Sequence, residues 1–171
     1  MTSEMTASFR SDLFAGEHVI LSGATGGIGA EIARGFAALG AEVTATGSSA
    51  AKIGGLTGEP AGIRFEQLDV RDRAAVKAFC ARQSRCDVLV NGAGIARGGA
   101  EWDEDIWLDT MDVNLNSQFR LAIGLHDRLA EAKGSIINIA SMLSFMADPG
   151  VPAYTASKTG VLGLTRALAH K

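Results

Sequence analysis

Short runs of consecutive apolar residues alternate along this chain with stretches in which apolar residues recur every three or four positions. The first pattern reads as strand covered on both faces, the second as amphipathic helix. His18 to Leu21 is a run of the first kind and ends in a glycine-rich turn. Ile28, Ile32, Phe36 and Leu39 then repeat at helical spacing, and Gly40 closes that helix. Glu42 to Thr46 reads as a second strand, Arg64 to Leu68 as a third, Val88 to Val90 as a fourth and Ser135 to Ile139 as a fifth. The small, polar stretch from Gly47 to Gly62 reads as a loop with one short helix. Asp72 is placed to start a helix that carries Val76, Phe79 and Cys80. Two helical stretches are expected from Asp103 to Lys133, and a last helix from about Ala153. Strands that alternate with helices imply right-handed crossovers and a parallel sheet, an α/β class.

Composition narrows the function classes. At 171 residues, 47% apolar and 20% charged, the chain reads as one soluble globular domain with room for a core. Residues 1–12 are expected to form a mobile arm, with Leu13 and Phe14 packing onto the body. The net charge of −3 and the lack of a basic block argue against a nucleic-acid partner. No apolar run approaches the ~20 residues that span a bilayer, and the N-terminus lacks a signal-peptide core. Cys80 and Cys86 do not form a C-x-x-C pair, so reduced thiols in the cytoplasm are expected, with Cys80 in the core. His18, His126 and His170 are scattered, and no metal site is expected.

The turn after the first strand changes the picture. Ser22-Gly-Ala-Thr-Gly-Gly-Ile-Gly29 lies between a strand and a helix. Glycine permits φ > 0 and close approach of backbone to a ligand, and free N–H groups at a helix start bind phosphate. A tight turn with close helix packing is the plain alternative. In a repeating β/α chain the same turn favours dinucleotide binding on a Rossmann-type doubly wound sheet. A carboxylate at the end of the second strand would hold ribose hydroxyls and indicate NAD. Here that end reads Gly47-Ser48-Ser49, with Lys52 the nearest base, which leans slightly towards NADP.

Several motifs then agree in order and context. Beside the glycine turn stand Asp69-Val70, Asn91-Gly92-Ala93-Gly94, Asn114 in "DVNLNSQF", Ser141 in "INIAS", and Tyr154 with Lys158 in "YTASK". From about Leu13 to Lys171 the chain resembles the short-chain dehydrogenase/reductase family. "INIASMLSF" and "VPAYTASK" look most like its gluconate and deoxygluconate dehydrogenases. The resemblance implies a sheet of seven strands, of which five are present here. It implies an NAD(P) site at Ser22, Gly23, Thr25, Gly27, Ile28, Gly29, Ser48, Asp69, Val70, Asn91, Ala93, Gly94, Tyr154 and Lys158. Asp69 and Val70 would bracket the adenine. Two departures stand out. Ser22 replaces a threonine but keeps a hydroxyl. Gly92 replaces the second asparagine, so a bond that steadies the turn and its neighbouring strands is expected to be lost.

The implied reaction is reversible hydride transfer between nicotinamide and a carbonyl or alcohol carbon, which also moves one proton. A free tyrosine titrates near pH ~10, and a nearby cation favours its phenolate. Lys158, four residues on, shares a helix face with Tyr154. The resemblance assigns Tyr154 as acid/base and Ser141 as the donor to the substrate oxygen. Lys158 would also hold the nicotinamide ribose, and Asn114 a water that links Lys158 to solvent. Taken singly, these four residues read as a strand-end serine, a helix kink or cap, and a solvated helix face. Arg97, Met142, Leu143, Phe145 and Met146 are expected at the border of the substrate pocket, although an exposed arginine is the plainer reading of Arg97.

From Leu115 the helix carries apolar residues on two faces, Phe119, Ala122 and Ile123 on one and Leu121, Leu125 and Leu129 on the other. Such a helix is buried or at a subunit interface, and a homo-dimer or homo-tetramer is expected. At the other end, Val161, Leu164 and Leu168 form an apolar stripe still running near Lys171, and Ile136, Ile137 and Ile139 would form an apolar sheet edge. The reading is a family domain incomplete at its C-terminus. Its substrate would be a small secondary alcohol or ketone, such as a sugar acid or polyol. Reduction of 3-ketoacyl thioesters is the enzymatic alternative, and a non-catalytic cofactor-binding or interaction module the other.

Overall fold

The computed structural model describes residues 8–56 and 59–171. Residues 1–7 of the expected N-terminal arm lie outside the described residues. Five strands, β1 (His18–Ser22), β2 (Glu42–Gly47), β3 (Ile63–Gln67), β4 (Val88–Asn91) and β5 (Ser135–Asn138), form one parallel sheet in the order β3-β2-β1-β4-β5. Each lies within one residue of the span expected from the apolar runs. The order reverses between β1 and β4, which opens a crevice at their carboxyl ends.

The helices are α1 (Gly27–Ala38), α2 (Ala50–Gly54), α3 (Arg73–Arg82), α4 (Glu104–Met111), α5 (Ser117–Gly124), α6 (His126–Ala132) and α7 (Pro152–Leu168). They cover both faces of the sheet. Val19 and Leu21 of β1 pack with Val43, Ala45, Val90 and α1 residue Ala33, while Ile20 packs with Leu89, Phe79, Leu121 and Leu125. Alternate side chains of one strand thus enter two different cores, the reason these strands are apolar throughout. Asp72 caps α3 by accepting from the N–H groups of Ala74 and Ala75. Val76, Phe79 and Cys80 point inward as their spacing requires. Burial pushes the Cys80 thiol up to about 11 and Cys86 to about 12, so both are inert thiols of the core at neutral pH.

Three local expectations need correction. The stretch from Asp103 to Lys133 is not two helices: a π turn over Asp112–Asn116 separates α4 from α5, and the axis breaks again at Leu125 before α6. Ala122 does not share a face with exposed Phe119 and Ile123; it is buried beside Leu121. The extra residue of the π turn rotates α5 relative to α4, which a regular 3.6-residue count does not register. Phe14 packs edge-on against Phe36 at 4.9 Å as expected, but Leu13 is exposed. At the far side of the sheet β5 is an edge strand with Ile137 exposed.

Candidate active site

The glycine turn closes over the ends of β1, β2 and β4. Gly23 has φ +76°, and a Cβ there would lie 2.6 Å from the backbone of Ala93. A Cβ on Gly29 would meet the Gly23 carbonyl oxygen at 2.2 Å. These two glycines let α1 and the β4 turn pack against the loop. Gly26 and Gly27 differ, since a Cβ on either would meet no atom within 4 Å; they keep space open rather than packing. Among the described residues no side chain caps the first turn of α1, so its N–H groups are left for a ligand anion. Thr25 sits over Gly47, where a Cβ would come within 2.3 Å of its side chain.

A cleft of about 500 Å³ runs from this turn across the strand ends. Gly23, Thr25, Gly27, Ser48, Lys52, Asp69, Val70, Ala93 and Gly94 line it. Hydrogen bonds from Arg71 hold the Asp69 carboxyl below the usual aspartate range. Arg71 also bonds Asp109, to which Arg97 reaches at 3.4 Å. Arg97 lines this first cleft, is exposed as its plainer reading has it, and pairs with Asp109 rather than bordering the second cleft. The residues at the cleft fit a dinucleotide, with an uncapped helix start and open glycines.

A second cleft of about 420 Å³ continues from the first, sharing Gly92, Gly94 and Ile95. It brings together Ile28, Gly29, Ser141, Tyr154 and Lys158 from separate parts of the chain. Lys158 is buried; its Nζ donates to the Ile139 carbonyl at 2.7 Å and lies 5.6 Å from the centroid of the Tyr154 ring. Burial lowers its pKa below the ordinary lysine value. Ser141 starts a 3₁₀ turn (Met142–Ser144) through a capping box, accepting from Leu143 N–H while its own N–H donates to Ser144 Oγ. Ser144 in turn donates to the Lys158 carbonyl at 2.7 Å, so Ser144 bridges Ser141 to the α7 backbone. Met142, Phe145 and Met146, expected at the pocket border, project to solvent, and neither they nor Leu143 line this cleft.

Three expected site residues line neither cleft. Ser22, Asn91 and Asn114 are buried behind its floor. Ser22 Oγ accepts from Ala93 N–H at 3.4 Å, and Asn91 Nδ2 donates to Asn138 Oδ1 at 2.8 Å. Asn114 grips Ile95 like a strand partner: its Oδ1 accepts from Ile95 N–H at 2.8 Å, and its Nδ2 donates to Ile95 O and Ser157 Oγ. Its main-chain oxygen accepts from Gln118 Nε2 at 2.9 Å. The side-chain amide and the main-chain oxygen of Asn114 thus each have a protein partner.

A family model described as short chain dehydrogenase matches residues 17–171. The chain belongs to the short-chain dehydrogenase/reductase family. It is 40% identical over 167 residues to the 2-dehydro-3-deoxy-D-gluconate 5-dehydrogenase of Bacillus subtilis, covering 91% of this chain and 65% of that protein. It is 36% identical over 172 residues to the D-threitol dehydrogenase of Mycolicibacterium smegmatis, covering 94% of this chain and 65% of that one. Among solved structures, a metagenomic short-chain oxidoreductase in complex with NADP superposes with a TM-score of 0.83 at 32% identity, covering 92% of this chain and 76% of that one. The chain therefore spans about two thirds of the length of the curated relatives it matches.

At Gly92, where the family pattern has an asparagine side chain, only the main-chain N–H bonds, donating to Ser22 O at 3.1 Å. Beside it the Asn91–Asn138 bond is extended by Asn138 Nδ2 donating to Thr165 Oγ1 at 2.9 Å. Sequence reasoning missed Ser144 and Glu101. Ser144 was legible in principle, because Ser141-x-x-Ser144 has the spacing of a capping pair. Glu101 was not, because it lies in an acid-rich run that reads as solvated.

Proposed function

We propose that this chain binds NAD(P), with a slight preference for NADP, and serves reversible hydride transfer between the nicotinamide and a small secondary alcohol or ketone. The observation that carries this reading is the Lys158 ammonium, buried 5.6 Å from the Tyr154 ring centroid in a cleft continuous with the glycine turn. The uncapped start of α1 and the Gly26–Gly27 space would receive the diphosphate, with Asp69 and Val70 at the adenine end. Ser48 and Lys52, with no carboxylate beside them at the end of β2, favour a 2′-phosphate. Bound there, the nicotinamide supplies or takes the hydride.

The chain's own residues handle the proton and the oxygen. Tyr154 takes the hydroxyl proton during oxidation and returns it to the carbonyl oxygen during reduction. Lys158 attracts the negative charge that Tyr154 carries as base. Ser141, held by its bonds to Leu143 and Ser144, orients its hydroxyl towards the substrate oxygen. Asn114 acts from behind by fixing Ile95 in the wall shared by both clefts. A sugar acid or polyol is the substrate class, in keeping with the relatives named above. The buried free thiols Cys80 and Cys86 suit a cytoplasmic setting. Exposed Phe119 and Ile123 on α5 suit association into a dimer or tetramer.

The test is Tyr154→Phe, assayed with NADP and NAD on a panel of sugar acids and polyols. Turnover should fall at least ~10³-fold with cofactor affinity kept within about threefold, and the unaltered protein should prefer NADP. Near-full turnover in Tyr154→Phe would overturn the mechanism.

A further inference from the structure

Glu101 is fully buried, more completely than any other ionisable side chain outside the cysteines among the described residues. Its two oxygens accept from two separate stretches of main chain. Oε1 takes the N–H of Arg97 at 2.7 Å, and Oε2 takes the N–H of Tyr154 at 2.7 Å.

The second bond answers a local deficiency at the start of α7. Pro152 at the first helical position has no N–H, and the capping position is held by Val151, whose side chain cannot accept. Thr155 N–H is satisfied by the Val151 carbonyl at 2.9 Å. The Tyr154 amide, still in the first turn, has no intrahelical acceptor and finds one 53 positions back in the chain. The carboxylate also lies at the end of α7 where the helix dipole favours negative charge.

The first bond joins this helix start to the segment after β4, whose residues Gly94, Ile95 and Ala96 line the second cleft. Two further bonds zip the same stretches together, Gly99 N–H to Gly150 O at 2.9 Å and Trp102 Nε1 to Pro149 O at 3.0 Å. Glu101 is the only one of these contacts that reaches the tyrosine itself.

We propose that Glu101 is a positioning residue for Tyr154, setting the tyrosine's place against the cleft wall through the main chain without touching substrate. Its kinetic consequence rests on the hydride-transfer reading; the hydrogen bond to Tyr154 does not. Glu101→Gln preserves size but turns an N–H₂ group towards one of the two N–H donors, so one bond is lost. Turnover at saturating substrate should fall about 10–100-fold, as misplacement of a reacting group by about an ångström does. The dissociation constant for NADP should stay within about threefold, and near-UV circular dichroism should be unchanged. A general loss of structure would instead weaken cofactor binding and lower the folded signal in parallel.

Amide hydrogen exchange supplies a readout independent of activity. The Tyr154 N–H should exchange slowly in the wild-type protein, and in Glu101→Gln the Tyr154 or the Arg97 amide, whichever faces the N–H₂ group, should exchange at least tenfold faster, with the rest of α7 unaffected. Wild-type turnover together with unchanged exchange at both amides in Glu101→Gln would overturn the proposal. Should that variant fail to fold, the wild-type protein alone decides: a Tyr154 amide as fast as an unprotected one overturns it. Tyr154→Phe separates the two readings, because activity retained there removes the hydride-transfer mechanism while leaving the exchange result to judge the Glu101 link.

Discussion

Lys158 shows what the candidate chemistry costs one residue. Its ammonium is buried with a single carbonyl partner among the described residues, and burial holds its pKa below the ordinary value. The folded protein therefore binds this proton less tightly than the unfolded chain does. The penalty is present in full below the folded pKa and disappears as pH rises through the unfolded value of about 10.4. Lys158→Met should abolish turnover yet stabilise the cofactor-free protein by about 0.5–2 kcal/mol at pH 7, with the gain shrinking towards pH 10. Urea unfolding at the two pH values checks it. A loss of stability at pH 7 would show that the ammonium is compensated in the fold. The Tyr154–Lys158 pair was legible because i,i+4 spacing is local geometry. Glu101 was not legible because its acceptor role is defined by main-chain N–H groups that only folding brings to it.

Among the elements, the π turn at Asp112–Asn116 matters most to the site. A wider turn leaves carbonyls without the usual i+4 amide partner. Ser117 Oγ donates to Val113 O at 2.6 Å and Gln118 Nε2 to Asn114 O at 2.9 Å, so buried side chains add donors to the carbonyls of this turn. Gln118→Leu should destabilise the protein by about 1 kcal/mol, because the buried Asn114 carbonyl loses a side-chain donor. A shift in the urea midpoint measures it, and an unchanged midpoint would remove Gln118 from this role. The sequence pattern predicted helix here and missed the turn, because one extra residue barely alters a short apolar repeat.

For the whole molecule, apolar surface is unevenly distributed. Phe119 is 51% exposed and Ile123 40%, side by side on α5, while the opposite face of that helix fills the core. The proposed association uses this face. Light scattering at micromolar concentration should give a dimer or larger species, and Phe119→Asp should reduce the mass without altering the circular dichroism spectrum. A wild-type monomer under those conditions would overturn the association. Among the described residues no helix is long and apolar enough to cross a membrane, and no group of three His, Cys, Asp or Glu side chains could hold a metal ion.

The sequence by itself determined five strands to within a residue, the helices outside Asp103–Lys133, the glycine-rich turn after β1 and the Tyr154–Lys158 face. All of these follow from periodicity and from the backbone freedom of glycine, which act over a few residues. Only the tertiary structure decided that Ser22, Asn91 and Asn114 hold the floor rather than line the cleft. It alone paired Arg97 with Asp109, tied Ser141 to α7 through Ser144, and aimed Glu101 at the Tyr154 amide. Those roles depend on hydrogen-bonding groups far apart in the chain, whose need for partners appears only once burial has taken water away.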